Sequence, residues 1–164
     1  MDIFSEETTL TNAKQYLRNN WEKGVTCVCC GQRVQLYHRK LNSGMALTLI
    51  RICNETTNGT VWIPVKEFLR QKGFKNNHDW TLLKYWGLLE EKGETEDGAS
   101  SGYWRITNKG IDFVLNKIRV AKRIDIYNQK LYGHSEESTN IIESLGNKFS
   151  YSELVFNTQI SELP

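Results

Sequence analysis

The sequence predicts an α+β fold built around a winged helix-turn-helix core. Between residues 42 and 87, apolar residues recur at helical spacing in three segments, with the β-rich run TVWIPV before the second. Two short strand patterns, beginning at Leu88 and Tyr103, then enclose a polar loop with three glycines, and helical spacing resumes at Ile111. This order of helices, strands and glycine-rich loop is typical of a winged helix.

Composition restricts the class of protein. Of the 164 residues, 39% are hydrophobic and 24% are charged, and two are prolines, so we expect a globular protein of one or two small domains. No run approaches the roughly 18–20 apolar residues of a membrane span. The acidic N-terminus does not have the pattern of a signal peptide. We therefore expect a soluble cytoplasmic protein that has no membrane partner.

Three segments are expected to organise the chain. Residues 1–41 would form an N-terminal helix, capped at Ser5, followed by a cysteine-knuckle hairpin. Residues 42–117 would form the winged-helix domain. Residues 118–164 would add a β-hairpin, turning near Asn128, and short helices packed on the core.

A cluster of cysteines near residue 30 indicates a candidate metal site. Cys27 and Cys30 have the spacing of a zinc knuckle, in which two thiolates face one metal and a following glycine permits the tight turn. A closed structural site requires four ligands, however, and no second Cys-x-x-Cys follows. The other candidate ligands, none at a diagnostic spacing, are Cys29, His38, Cys53 and His78.

Two interpretations of the cysteine turn therefore stay open. Cys27 and Cys30 could hold Zn²⁺ with ligands from elsewhere, or the turn could carry reduced thiols without a metal. Cys53 follows the apolar pattern of its predicted helix, which favours a small core residue over a metal ligand.

The third predicted helix carries the candidate DNA-reading face. In the segment DWTLLKYWG, Trp80, Leu83 and Trp86 form the expected buried stripe. The opposite face would enter the major groove, while basic residues between 105 and 130 would contact phosphates. The candidate DNA-binding residues are Asn77, Thr81, Lys84, Tyr85, Arg105, Arg119, Lys122 and Arg123.

The charge distribution argues against a simple DNA-binding surface. The net charge is only +2, which does not by itself identify a nucleic-acid binder. Residues 105–130 hold seven basic residues and two acids, but residues 90–97 of the predicted wing hold five acids and one lysine. Because acids repel a polyanion, the wing is expected to stay clear of a DNA backbone.

Much of the sequence resembles a group of uncharacterised bacteriophage proteins. The features that carry the resemblance are the Cys-x-x-Cys turn, the strand Tyr-x-Arg-Lys-Leu from Tyr37 to Leu41, and the runs YWGLLEE, GYWRITNKGIDFVLNKI and IESLGNKFSYSELV. The resemblance extends from Trp21 to Val155. It implies a phage origin, a winged-helix core and a bacterial host cytoplasm, but no established activity.

The sequence is compatible with two functions. The leading prediction is a regulatory DNA-binding protein, because winged helices most often bind nucleic acid. The alternative is a protein–protein interaction module, such as an adaptor or an inhibitor of a host factor, that uses the acidic wing and exposed aromatic residues. Self-association is open as well. No enzyme and no catalytic residue are expected, since the three histidines are scattered and no catalytic motif is present.

Overall fold

The computed structural model describes residues 5, 7–74, 78–93 and 99–156, without the side chains of 155 and 156. Over these residues the fold is mixed α+β with small antiparallel sheets. The helices are α1 (Leu10–Asn20), α2 (Ser43–Glu55), α3 (Val65–Gln71), a 3₁₀ helix (Asp79–Trp86), α4 (Asn108–Val114), α5 (Ile141–Leu145) and α6 (Tyr151–Phe156). The strands are β1 (Val25–Thr26), β2 (Arg33–Val34), β3 (Tyr37–Lys40), β4 (Ile63–Pro64), β5 (Leu89–Glu91), β6 (Tyr103–Ile106), β7 (Val120–Ala121), β8 (Arg123–Tyr127), β9 (Lys130–His134) and β10 (Ser138–Thr139). Among the described helices, none combines the length and apolar character needed to cross a membrane.

The chain divides into two compact units. The hairpin unit comprises Met1–Arg39 and Ile124–His134, and the helical unit comprises Lys40–Arg123 and Ser135–Pro164. This division differs from the three consecutive segments predicted from the sequence. The reason is the sheet order β3-β8-β9, which brings the late hairpin β8–β9 to the N-terminal segment. A pairing between strands so far apart in the chain leaves no local sequence pattern.

The first helix of the hairpin unit, α1, has its cap four residues after the predicted Ser5 cap. The hydroxyl of Thr9 caps α1 by accepting from the Asn12 amide at 3.2 Å, whereas Ser5 belongs to a preceding turn. The predicted turn near Asn128 is confirmed, because Asn128 and Gln129 have φ of 46° and 60° and connect β8 to β9. Such a two-residue turn of left-handed conformations matches the twist of a hairpin.

The helical unit is built on α2, which is capped by Asn42 and buries its apolar residues. The Asn42 side chain accepts from the Met45 amide at 2.9 Å, and both Leu49 and Ile52 are fully buried. Its three-stranded sheet has the order β4-β6-β5, with β6 antiparallel to both neighbours. The predicted wing joins β5 to β6, and its acids Glu94, Glu96 and Asp97 lie outside the described residues.

The third predicted helix is a 3₁₀ helix rather than an α-helix. Trp80, Leu83 and Trp86 are all buried, as expected, and they lie three residues apart. A 3₁₀ helix has three residues per turn, so this spacing aligns all three side chains on one face, whereas an α-helix would spread them around its surface. Gly87 ends the helix with φ 72°, a left-handed conformation that glycine adopts without a steric cost.

The C-terminal part of the chain adds the predicted short helices α5 and α6. The predicted hairpin is shorter than expected at its start, since Val120 lies in β7 and pairs with Thr139 of β10. The Asn140 side chain caps α5 by accepting from the Glu143 amide at 2.8 Å. The Tyr151 hydroxyl of α6 donates to the Val114 carbonyl at 2.8 Å, which fastens α6 to the end of α4.

A compact joint connects the end of the 3₁₀ helix to the start of α4. The Thr107 amide donates to the Leu88 carbonyl at 3.1 Å, and its hydroxyl donates to the Gly87 carbonyl at 2.6 Å. The same hydroxyl caps α4 by accepting from the Gly110 amide at 3.0 Å. Gly110 packs so tightly that a Cβ on it would lie 2.2 Å from the Leu88 carbonyl oxygen.

We predict that Gly110→Ala destabilises the protein although alanine favours helices. The added methyl group overlaps a backbone atom, and such overpacking typically costs about 1–3 kcal/mol, against a helix-propensity gain of at most about 1 kcal/mol. We therefore expect the free energy of unfolding, measured by urea denaturation, to fall by about 1–2 kcal/mol. Gly93→Ala is the matched control, because a Cβ at Gly93 meets no atom within 4 Å. Equal stability of the two variants would contradict the proposed close packing.

Candidate functional site

The predicted DNA-reading face of the third helix presents one exposed cation. Lys84 is exposed, and its ammonium lies 5.2 Å from the centre of the Tyr85 ring. Tyr85 is half-buried, which raises the pKa of its hydroxyl. Thr81 is also half-buried, and its hydroxyl donates to the His78 carbonyl at 2.8 Å. Asn77, the remaining candidate on this face, lies outside the described residues.

From Arg105 onward, most of the cations predicted to contact phosphates are paired with acidic side chains. Three of the four candidate cations there form ion pairs in the helical unit. The pairs are Arg105–Glu90 at 2.6 Å, Arg119–Glu143 at 2.7 Å and Lys122–Glu137 at 3.5 Å. The fourth candidate, Arg123, is half-buried, and its backbone amide donates to the Ser135 hydroxyl at 3.0 Å.

The Arg119 pair is the most specific of these interactions. Its guanidinium donates to both carboxylate oxygens of Glu143, at 3.0 and 2.7 Å, and also to the side chain and carbonyl of Ser138. Hydrogen bonding by Arg119 lowers the pKa of the Glu143 carboxyl. A two-pronged pair of this kind holds the guanidinium in one orientation. Arg119 therefore acts in the described residues as a link between β10 and α5.

Lys109 is a second exposed cation, and it lies beside the end of the third helix. It is not among the DNA-binding residues predicted from the sequence. A Cβ built on Gly87 would lie 3.9 Å from the Lys109 ammonium, while the Gly87 amide donates to the Lys84 carbonyl at 2.9 Å. The Lys109 side chain and the Lys84 backbone therefore both lie next to Gly87. Within the described residues, neither lysine takes part in an ion pair. The contact of Lys109 with Gly87 depends on how α4 packs, so no sequence pattern could have indicated it.

The outward face of the β4-β6-β5 sheet combines aromatic rings with cations. The Arg105 guanidinium lies 4.2 Å from the centre of the Trp62 ring, and the Lys92 ammonium lies 6.0 Å from the ring of Tyr103. Tyr103 is 44% exposed. A cleft of about 300 Å³ adjoins Arg105. Its lining residues are Gly59, Glu90, Arg105, Ile106, Thr107 and Asn108.

Two backbone hydrogen bonds close the cysteine turn. The amide of Cys27 donates to the Gln32 carbonyl, and the amide of Gly31 donates to the Cys27 carbonyl, both at 2.8 Å. The backbone amides of Cys30 and Cys29 donate to the Cys27 sulfur and lower the pKa of its thiol. Gly31 has φ 71°, the left-handed conformation that the tight turn requires. Among the described residues, no three His, Cys, Asp or Glu side chains are grouped to hold a metal, so zinc stays a prediction.

The other predicted metal-ligand candidates lie in different surroundings. Cys53 is fully buried in α2, and burial raises the pKa of its thiol to about 12, which confirms it as a core residue. His78 is exposed just before the 3₁₀ helix. His38 lies on β3, and its two ring nitrogens contact carboxylates, Nε2 with Glu22 at 2.7 Å and Nδ1 with Asp125.

The contacts of His38 form a small charged cluster in the hairpin unit. Glu22 follows α1 and Asp125 lies on β8, so the imidazole links both elements to β3. Hydrogen bonds to Asp125 and then Glu22 raise the pKa of His38, because both carboxylates stabilise the doubly protonated ring. No local sequence pattern indicates this cluster, because its members are brought together by the long-range pairing of β3 with β8.

Comparison with known proteins assigns no family. No protein-family model, curated protein or solved structure matches the chain. The resemblance to bacteriophage proteins therefore stays a prediction, and function has to be inferred from the residues themselves.

We predict that the His38 cluster makes stability depend on pH. A raised folded-state pKa means that the contribution is complete below the unfolded value of about 6.5 and is lost as pH rises through the folded value. The difference in free energy of unfolding between the wild type and His38→Gln should therefore shrink as the pH is raised above 6.5. Urea denaturation of both proteins across this range provides the measurement.

A direct titration offers an independent check. The His38 ring, followed by NMR against pH, should titrate above 6.5 in the wild type and move towards that value in Asp125→Asn. A stability difference that stays constant with pH, or a His38 pKa at or below 6.5, would contradict the cluster.

Proposed function

We propose that the helical unit is a winged-helix module that binds duplex DNA. The order α2, β4, α3, 3₁₀ helix, β5, β6 and the sheet order β4-β6-β5 support this, because a winged helix places its first strand beside its last. In such a module the third helix is the element offered to the major groove. The observation that carries the proposal is that Lys84, on this helix, and Lys109, beside its end, are exposed without an acidic partner in the described residues.

The proposed contact surface differs from the one predicted from the sequence. Lys84 and Lys109, around Gly87, would supply the phosphate contacts, and Thr81 and Tyr85 flank Lys84 for contacts to base edges. The predicted phosphate contacts Arg105, Arg119 and Lys122 contribute less, because they already pair with carboxylates. A surface with two free lysines predicts weak binding with a shallow salt slope, about 1.8 for two phosphate contacts.

A regulatory role follows from the same features. A protein that binds DNA through a third-helix surface, and in which no catalytic constellation was found in the sequence, is best suited to occupying a site rather than to altering it. The resemblance to bacteriophage proteins would place this activity in the cytoplasm of a bacterial host.

We predict that Lys84→Ala with Lys109→Ala weakens DNA binding. The affinity for a short DNA duplex, followed by fluorescence anisotropy over a range of salt concentrations, should fall most at low salt. Each lost phosphate contact removes a slope of about 0.9 from the plot of log affinity against log salt, so the slope should flatten by about 2.

The matched control keeps the net charge of the protein. Arg119→Gln with Glu143→Gln removes both members of a compensated pair, so we expect DNA affinity close to that of the wild type. No binding by the wild type at low salt, or an equal loss in the control, would overturn the proposed surface.

Protein binding is the second candidate, and one specific observation favours it. The outward sheet face presents the rings of Trp62 and Tyr103 together with Arg105, the residue types that contribute most to protein interfaces. These aromatic residues, rather than the acidic wing tip, form the described part of a protein-binding surface. The stacking of Arg105 on Trp62 holds both side chains in place before a partner arrives.

We predict that a protein partner, if this second function holds, depends on Tyr103. A partner recovered from bacterial lysate by the wild type should be lost with Tyr103→Ala, because the mutation removes an exposed aromatic anchor from the sheet face. The same partner should be retained by Lys84→Ala with Lys109→Ala, which alters only the proposed DNA surface. Recovery that is insensitive to Tyr103→Ala would exclude this face.

A further inference from the structure

The cysteine turn has a feature that the proposed DNA-binding function does not use. It forms the end of the hairpin β1–β2, which pairs Val25 with Val34 and Thr26 with Arg33. At this end, Cys29 and Cys30 are exposed and Cys27 is half-buried. Val28, between them, is an exposed apolar side chain at 51%. The hairpin therefore offers thiols at a tip that another molecule can approach.

The turn is already shaped to hold a metal at two of these thiols. The Gly31 amide donates to the Cys27 carbonyl at 2.8 Å, and Gly31 closes the turn with φ 71°. The Cys-x-x-Cys spacing of Cys27 and Cys30 lets both sulfurs face one ion.

The described residues of one chain do not group further ligands with these two thiols. Cys53 is buried in α2, and both nitrogens of His38 contact carboxylates. Among the described residues, no group of three or more His, Cys, Asp or Glu side chains could hold a metal. A tetrahedral site at this turn would therefore have two positions open to ligands from a second molecule.

We propose that a zinc ion joins two copies of this chain at their cysteine turns, through Cys27 and Cys30 of each copy. The two pairs of thiolates complete a closed four-sulfur site of the kind that structural zinc prefers. The joined turns would also bring together the exposed Val28 side chains. A zinc ion with four thiolates carries a net charge of −2, which the surplus of basic residues in this part of the chain offsets. From Lys14 to Lys40 there are six basic residues and one acid.

A second copy fits the chemistry better than a different partner. The site needs a second pair of thiolates with the same spacing, and a copy of the same turn supplies it without any further requirement. A symmetric arrangement of this kind is the commonest form of a protein dimer. Two copies would also carry two DNA-binding modules, which raises the affinity for DNA sites that contain two half-sites.

The test is a titration of the full, reduced chain with zinc alone. We expect one zinc ion per two chains by elemental analysis, and conversion of monomer to dimer by sedimentation or light scattering. A chelator should reverse both changes. Cobalt in place of zinc should give the absorption of a four-thiolate tetrahedral site.

Matched cysteine variants assign the ligands. Cys27→Ser and Cys30→Ser should each abolish dimer formation by zinc, while Cys29→Ser and Cys53→Ala should keep it. Circular dichroism of each variant, without metal, confirms that the chain remains folded. One zinc ion bound per monomer, a dimer that forms without metal, or no zinc binding at all would overturn the proposal.

Discussion

The helical unit depends on the close approach between the start of α4 and the backbone of Gly87 and Leu88. Thr107 donates its amide to Leu88 and its hydroxyl to Gly87, and the same hydroxyl caps α4. Gly110 makes this approach possible, because any side chain there would meet the Leu88 carbonyl. The joint fixes the end of the 3₁₀ helix relative to β5 and α4. It also places Lys109 beside Gly87, the residue that follows the 3₁₀ helix. The proposed DNA surface is therefore a consequence of backbone packing rather than of a basic run in the sequence.

Ion pairs with acidic side chains limit which basic residues of this protein are available to contact phosphates. The sequence places seven basic residues between 105 and 130, but three of those selected as phosphate contacts lie next to carboxylates from other elements. Exposed ion pairs contribute only about 0–1 kcal/mol each to stability. Their main effect here is to lower the local positive potential. Lys84 and Lys109 lie on and beside the third helix, and neither pairs with an acid in the described residues.

Local patterns predicted most of the elements, and contacts between distant residues account for what they missed. The turn at Asn128 and the burial of Trp80, Leu83 and Trp86 follow from residue type and spacing. The same three-residue spacing also fits the 3₁₀ form of the third helix. From the sequence it predicted only which side chains are buried, and not the type of helix. The pairing of β8 with β3, the carboxylates around His38 and the ion pairs of Arg105 and Arg119 join distant parts of the chain. No local pattern specifies such contacts.

A single NMR measurement tests where on the protein DNA binds. Titrating the labelled protein with duplex DNA at low salt should shift the backbone amide signals of residues around Lys84, Gly87 and Lys109. Signals from β4 and from the cysteine turn should change little, because neither belongs to the proposed surface. Shifts centred on Trp62 and Tyr103, or no shifts at all, would contradict the account.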